Sequence, residues 1–251
     1  MPAPSVGVRL FSHGAVYTGG VFLMRAGNFL LLPVYTALLT TAEYGTVGVL
    51  KQGAQVLVLL ALCGQELSML RLGIQRESTD EERGVLAGTL LTFVMAVGLA
   101  LSCVAALTWP LYASYLDDIP LWPLGLVALS WVVSMAAFRL ILSNLQQRER
   151  PRDHTSLNLA RWLILLVFVA VFVVWLRLGA LGLLLAISLS FAAGALLGLR
   201  YLPGKLRLGI DRSVLRSGLK YGLPIIPHAL AAAVLQSADR VVLADQVGLA
   251  D

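Results

Sequence analysis

Charge is scarce in this sequence. Only 13% of its 251 residues are Asp, Glu, Lys or Arg, roughly half the share of a soluble domain. Apolar residues make up 58%, with 23 glycines besides, where a soluble domain reaches ~45–50% with glycine included. Too few polar side chains are present to cover a water-facing globule, so the apolar surplus has to face lipid. Cysteine is nearly absent. Cys63 and Cys103 each lie inside an apolar run, which leaves no disulfide framework and reads as small packing residues. His13, His154 and His228 share no metal-ligand spacing, so no metal is expected. No G-x-x-x-x-G-K-[ST] loop occurs, which argues against direct ATP use. The net charge of +5 is not a nucleic-acid signal, because no basic stretch is interleaved with aromatics.

What is present is a series of apolar runs near 14–39, 53–70, 84–109, 121–143, 157–176, 178–199 and 221–244. About 20 mainly apolar residues cross the ~30 Å of hydrocarbon as a helix. Continuous rather than alternating hydrophobicity excludes barrel strands. The expected fold class is an all-α polytopic membrane protein: a six-helix transmembrane bundle over 1–199, a basic amphipathic linker over 200–220, and the first helix of a second bundle over 221–251. Basic residues fall unevenly between the runs. One set of connections holds Arg9, Arg71, Arg76, Arg83, Arg148, Arg150, Arg152, Arg200, Lys205, Arg207, Arg212, Arg216 and Lys220; the other holds Lys51 and Arg177. Positive residues stay inside, which puts the N-terminus in the cytoplasm. The N-terminal stretch shows no small-residue cleavage site, so Met1 onward is expected to be mature protein. Within the linker, Leu215 and Leu219 share one helical face while Arg212, Arg216 and Lys220 share another, the pattern of a helix at the membrane interface.

A shift of 208 residues sets Ala42-Glu43 on Ala250-Asp251 and Asn28 on Gln236. Internal repeats are common in secondary transporters, and on that pattern the chain is expected to be the N-terminal part of a longer one.

The run NFLLLPVYTALLTTAEYGTVGVL contains a Leu-Thr-x-x-Glu-Tyr-Gly loop at Leu39, Thr40, Glu43, Tyr44 and Gly45, and YGLPIIPHALAAAVLQSADR carries Tyr221, Gly222, Pro224, Pro227, Asp239 and Arg240. Both runs, with LCGQELSMLRL and the acidic ESTDEERG between them, resemble Wzx-type polysaccharide flippases of the multidrug/oligosaccharidyl-lipid/polysaccharide exporter superfamily. The resemblance implies two six-helix bundles that rock between inward-open and outward-open states. It implies a cargo of undecaprenyl-pyrophosphate-linked oligosaccharide, moved across the bacterial cytoplasmic (inner) membrane for O-antigen, capsule or exopolysaccharide synthesis. The partners implied are the lipid bilayer, the lipid-linked oligosaccharide and other polysaccharide-assembly proteins. No cofactor is implied, and any coupling would be to a proton or sodium gradient. Within the same superfamily stand a cation-coupled drug exporter and a peptidoglycan lipid-precursor flippase. A membrane-embedded polymerase or ligase would need a large outer loop with catalytic residues, and the outer connections are about 13 residues or shorter.

A lipid pyrophosphate needs fixed positive charge in a cavity sheltered from lipid, and the planar fork of arginine suits phosphate oxygens. Arg25, near the middle of the first run, is the foremost candidate, since an arginine at that depth is costly unless it faces the bundle interior or water. Arg240 is a second cavity charge or outer gate. Asn28 and Gln236 offer hydrogen bonds to sugar hydroxyls or between helices. Asp239 is a candidate coupling carboxylate, and Glu66 a gating group within reach of Arg71. Arg139 and Arg161 lie about two turns from the basic connection, close enough to snorkel to headgroups. Pro33, Pro224 and Pro227 are candidate kinks in the helices that open each half. Gly182, Gly194 and Gly198 are expected where helices pack closely.

Overall fold

The computed structural model describes residues 27, 29, 31–75, 79–113, 119–202 and 209–232. These residues form helices, and no strand occurs among them. Five spans are long and apolar enough to cross a membrane: Thr41–Ile74, Asp80–Leu107, Leu121–Gln147, Pro151–Trp175 and Gly179–Tyr201. The chain is a polytopic all-α membrane protein. A further helical stretch at 31–38 precedes them. Arg25, Asn28, Gln236, Asp239 and Arg240, with both ends of the expected repeat match, lie outside the described residues apart from Ala42 and Glu43.

The second span begins earlier than hydropathy alone predicts. Helix α1 (Thr41–Leu62) starts at a capping box, in which Thr40 Oγ1 accepts from the Glu43 N–H and Glu43 Oε2 accepts from the Thr40 N–H at 2.9 Å. Two of the otherwise orphaned N–H groups of the first turn are satisfied this way. The Leu-Thr-x-x-Glu-Tyr-Gly motif is therefore a helix start, and the expected outer loop of about 13 residues shrinks to Leu39 and Thr40. Lys51, expected in that loop, lies inside α1. The same capping chemistry, Thr79 with Glu82, opens α3 (Asp80–Leu107).

The second span is also broken. Cys63 and Gly64 both take positive φ, 45° and 68°, so α1 stops and α2 (Gln65–Gln75) starts on a new axis. The left-handed region costs a non-glycine residue roughly 1–2 kcal/mol, and Cys63 meets that cost inside a span of 34 residues. The remaining spans are α4 (Leu126–Gln147), entered through a kink at Trp122, whose backbone is extended (φ −98°, ψ 129°); α5 (Pro151–Val169), extended by a π-type turn at Ala170–Trp175; and α6 (Gly179–Gly198).

Helix α4 is the centre of the bundle. It packs on α1, α2, α3 and α6, and its span is the most deeply buried of the five. Its residues Trp131, Val132, Phe138, Leu140, Ile141 and Leu145 join Val58, Leu90 and Val94 in one core. Glycines allow the close approach of α6 as expected. A Cβ on Gly198 would stand 2.8 Å from Ile141 Cγ2, and one on Gly182 would stand 2.7 Å from the Phe172 carbonyl oxygen. Small residues at such points bring membrane helices together where no hydrophobic force from water acts between them.

The amphipathic linker helix forms as α7 (Arg212–Gly222), capped by Asp211 Oδ1, which accepts from the Ser213 and Val214 N–H groups. It docks on protein, however, against α2 and α3. Its buried stripe is Val214, Gly218 and Gly222. Leu215 and Leu219, the residues of the expected apolar face, are half-buried beside it.

Candidate functional site

Depth in the bilayer follows from neighbours. The backbone of Gly179 lies against the Glu43 carboxylate, where a Cβ would collide. Glu43 and the start of α6 therefore share one level, the end away from the arginine-rich connections. Lys51 lies eight residues further along α1, about 12 Å deeper at 1.5 Å per residue. Tyr44, Gly48, Lys51 and Gln55 are all exposed. Their spacing of i, i+4, i+7 and i+11 puts them on one face of α1. A lipid-facing surface would not carry a lysine and a glutamine at that depth without large cost, so this face borders water or another polar partner. The sequence reading missed it because hydropathy assigned residues 40–52 to a loop. The signal was present in the Thr-x-x-Glu capping box, which announces a helix.

The break at Cys63–Gly64 lies twenty residues beyond Glu43, about 30 Å, and thus near the opposite boundary. Just past it, Glu66 receives a bidentate pair from Arg139: Nε to Oε1 and Nη2 to Oε2, both 2.7 Å. The two side chains keep 25% and 37% of their surface, so the pair is reachable from an aqueous space. The sequence offers Glu66 either Arg71 or an inner gate partner, and has Arg139 snorkel. The structure pairs Glu66 with Arg139, because the turn at Gly64 re-aims α2 toward α4. Arg71 lies over the Tyr221 ring at 4.0 Å.

Arg161 does not snorkel either. Its guanidinium carbon sits 4.3 Å from the Phe191 ring centroid and 5.7 Å from that of Phe138. Gly194 leaves room for its stem, since a Cβ there would meet Arg161 Cγ at 2.9 Å. The Nε of Arg161 is buried without a hydrogen-bond partner. Aromatic faces attract a cation but do not neutralise it. The structure thus brings Arg139 and Arg161 to the neighbourhood of Phe138 from α4 and α5, with the charge of Arg139 matched by Glu66.

Pro33 lies exposed in the stretch 31–38, where Thr36 Oγ1 donates to its carbonyl at 3.1 Å. Pro224 lies in the 3-10 turn Leu223–Ile225 that follows α7, and Pro227 in the helical residues after it. A crevice of about 530 Å³ opens elsewhere, between α1, α3 and α4. Its lining, including Leu57, Leu101, Val104 and Trp109, is apolar, which suits hydrocarbon and offers nothing to a phosphate or a sugar. Among the described residues no group of His, Cys, Asp and Glu is placed to hold a metal ion.

A family model described as "Polysaccharide biosynthesis protein" matches residues 12–251. No curated protein matches the chain. Among solved structures, the chain is similar to a MATE protein in complex with MaD3S, with TM-score 0.60 and 16% identity over 95% of this chain and 56% of that one. It is also similar to the outward-facing conformation of a multidrug resistance MATE family transporter of the MOP superfamily, with TM-score 0.56 and 16% identity over 90% of this chain and 53% of that one. The chain spans about half the length of these transporters, and the likeness is one of fold.

Proposed function

The chain belongs to the polysaccharide biosynthesis protein family, and from that premise we propose that it is the first bundle of a transporter that flips undecaprenyl-pyrophosphate-linked oligosaccharide across the bacterial cytoplasmic membrane by alternating access. The observation that carries this reading is the exposed polar face of α1. Tyr44, Lys51 and Gln55 line one side of a membrane helix, which offers a cation and hydrogen-bonding groups to a passing anionic, hydroxyl-rich headgroup. The lipid tail would stay in the bilayer while the headgroup crosses along that face. Arg25 and Asn28 before it, and Gln236, Asp239 and Arg240 after it, are proposed to extend the same polar route. The Arg139–Glu66 pair near the arginine-rich end would act as a gate. Coupling to a proton or sodium gradient would use Glu66 or Asp239.

A cation-coupled drug exporter is the competing reading, favoured by the MATE-like fold. Against it, the described cations Lys51 and Arg161 would repel a cationic drug. The deciding experiment reconstitutes the two-bundle transporter that this chain opens, in vesicles loaded from one side with fluorescent lipid-pyrophosphate oligosaccharide, and follows its appearance in the other leaflet. Protein-dependent flipping with no efflux of a cationic dye is the expected result. Dye efflux without flipping would overturn the proposal in favour of the exporter.

A further inference from the structure

At the arginine-rich end of the bundle, the ends of three helices bring guanidinium groups onto one tyrosine. Arg148, just past α4, donates from Nη1 to the Tyr201 carbonyl at 3.0 Å. Arg200, at the end of α6, donates from Nη2 to the Tyr201 hydroxyl at 2.9 Å, and its guanidinium carbon lies 4.7 Å from the ring centroid. Arg150, at the start of α5, lies 5.9 Å from the same centroid and pairs through Nε with Asp153 Oδ2 at 2.6 Å. Arg83, from the first turn of α3, pairs only loosely with Asp80, at 3.7 Å, and its Nε is buried without a hydrogen-bond partner. Burial first, then Arg150 and Arg83, hold Arg148 below the ordinary arginine pKa. Among the described residues neither Arg148 nor Arg200 pairs with a carboxylate.

A general excess of arginine on one side of a membrane needs no convergence, since separate loops can carry it. Here three side chains converge on Tyr201 and Arg83 lies close enough to Arg148 to repel it, with Asp80 and Asp153 as opposing acids. An anion between them would offset that repulsion, and the guanidinium fork is shaped for phosphate oxygens. The surroundings indicate where the anion comes from. Leu196, one turn before Arg200 on the same face of α6, is 69% exposed, and Leu199 is 44% exposed. Hydrocarbon covers such residues in a membrane span, so a chain lying on them would present its headgroup to Arg200.

We propose that Arg148, Arg150 and Arg200, grouped around Tyr201, with Arg83 near Arg148, form a binding site for the phosphate headgroup of an anionic membrane lipid at the arginine-rich boundary. Basic pockets between membrane helices bind such headgroups. This lipid is a structural partner of the bundle, distinct from the cargo proposed above. The test uses the purified full chain in neutral detergent. Its melting temperature is followed by tryptophan fluorescence during titration with phosphatidylglycerol, phosphatidylcholine or inorganic phosphate, and bound lipid is counted by native mass spectrometry. Phosphatidylglycerol is expected to bind and stabilise, while the other two do neither. Each arginine removed should weaken binding about fivefold: R200Q about fivefold, and the R148Q/R200Q pair more than tenfold. R212Q, on the exposed side of α7, should bind as the unsubstituted protein does. R200Q is expected to fold, since this side chain is exposed and its described contacts are with the neighbouring Tyr201. Unchanged phosphatidylglycerol binding by R200Q would overturn the proposal. So would equal binding of phosphatidylcholine, or the same stabilisation by inorganic phosphate, which would make this a soluble-anion site.

Discussion

A lysine about 12 Å into a membrane helix has to be met by water, an anion or a polar neighbour, because hydrocarbon alone leaves its ammonium uncompensated. If Lys51 serves an anionic headgroup, its charge should matter more than its shape. Lys51→Arg is expected to keep most of the vesicle flipping rate, and Lys51→Glu to lose at least tenfold, with both proteins melting within a few degrees of the original. Equal loss in the two variants would assign Lys51 a packing role instead. Arg161 poses the complementary question, since a largely buried cation with no carboxylate beside it among the described residues contributes little to stability. Arg161→Met keeps much of the stem's volume and removes the charge. The melting temperature is expected to hold or rise while transport falls; a lower melting temperature with intact transport would make Arg161 structural. Glu66 and Arg139 differ from both, because each neutralises the other. Removing either should cost roughly 1–2 kcal/mol, between the values for exposed and buried pairs, and the exchange E66R/R139E should recover more than half of it. Thermal melts of the four proteins give that coupling directly.

Among the helices, α2 and α7 are tied together more closely than their distance in sequence would require. Gly64 and Gly222 touch backbone to backbone, and a Cβ on either would collide with the other's segment. Ser68 Oγ donates to the Gly218 carbonyl at 2.7 Å, and Arg71 lies over Tyr221. Any movement of the chain that follows α7 therefore pulls first on α2, directly below the break at Cys63–Gly64. Gly64→Ala should disturb this twice, through its φ of 68° and through the collision. Hydrogen exchange across residues 212–222 is expected to speed up at least tenfold in that variant. Gly53→Ala, in α1, has open space around its added Cβ and should leave exchange unchanged. If both variants behave alike, α7 is held by other contacts.

For the whole molecule, topology is the property that the arrangement of spans predicts most directly. Residues 149 and 212 belong to the arginine-rich end and 177 to the other. Single cysteines placed there, after replacing Cys63 and Cys103, should be labelled by an impermeant maleimide from opposite sides of the membrane, with 149 and 212 reached from the cytoplasm. Labelling of 177 together with 149 would break the alternation on which the span assignment rests. The sequence by itself determined the membrane setting, the all-α class, the close-packing glycines of α6 and the amphipathic character of α7, because each depends on composition or on periodicity along one helix. It misplaced the start of the second span, since a hydropathy window weighs Thr40, Glu43, Lys51 and Gln52 as loop residues and ignores the capping box that makes them helical. Only the tertiary structure decided that Glu66 meets Arg139, that Arg161 lies between two phenylalanine rings, and that α7 covers protein rather than the bilayer surface. Those pairings join residues 23 to 150 positions apart, and the first of them depends on two left-handed residues that turn α2 toward α4. Side-chain chemistry along a chain records which groups need a partner, and the path of the backbone through space selects which partner they meet.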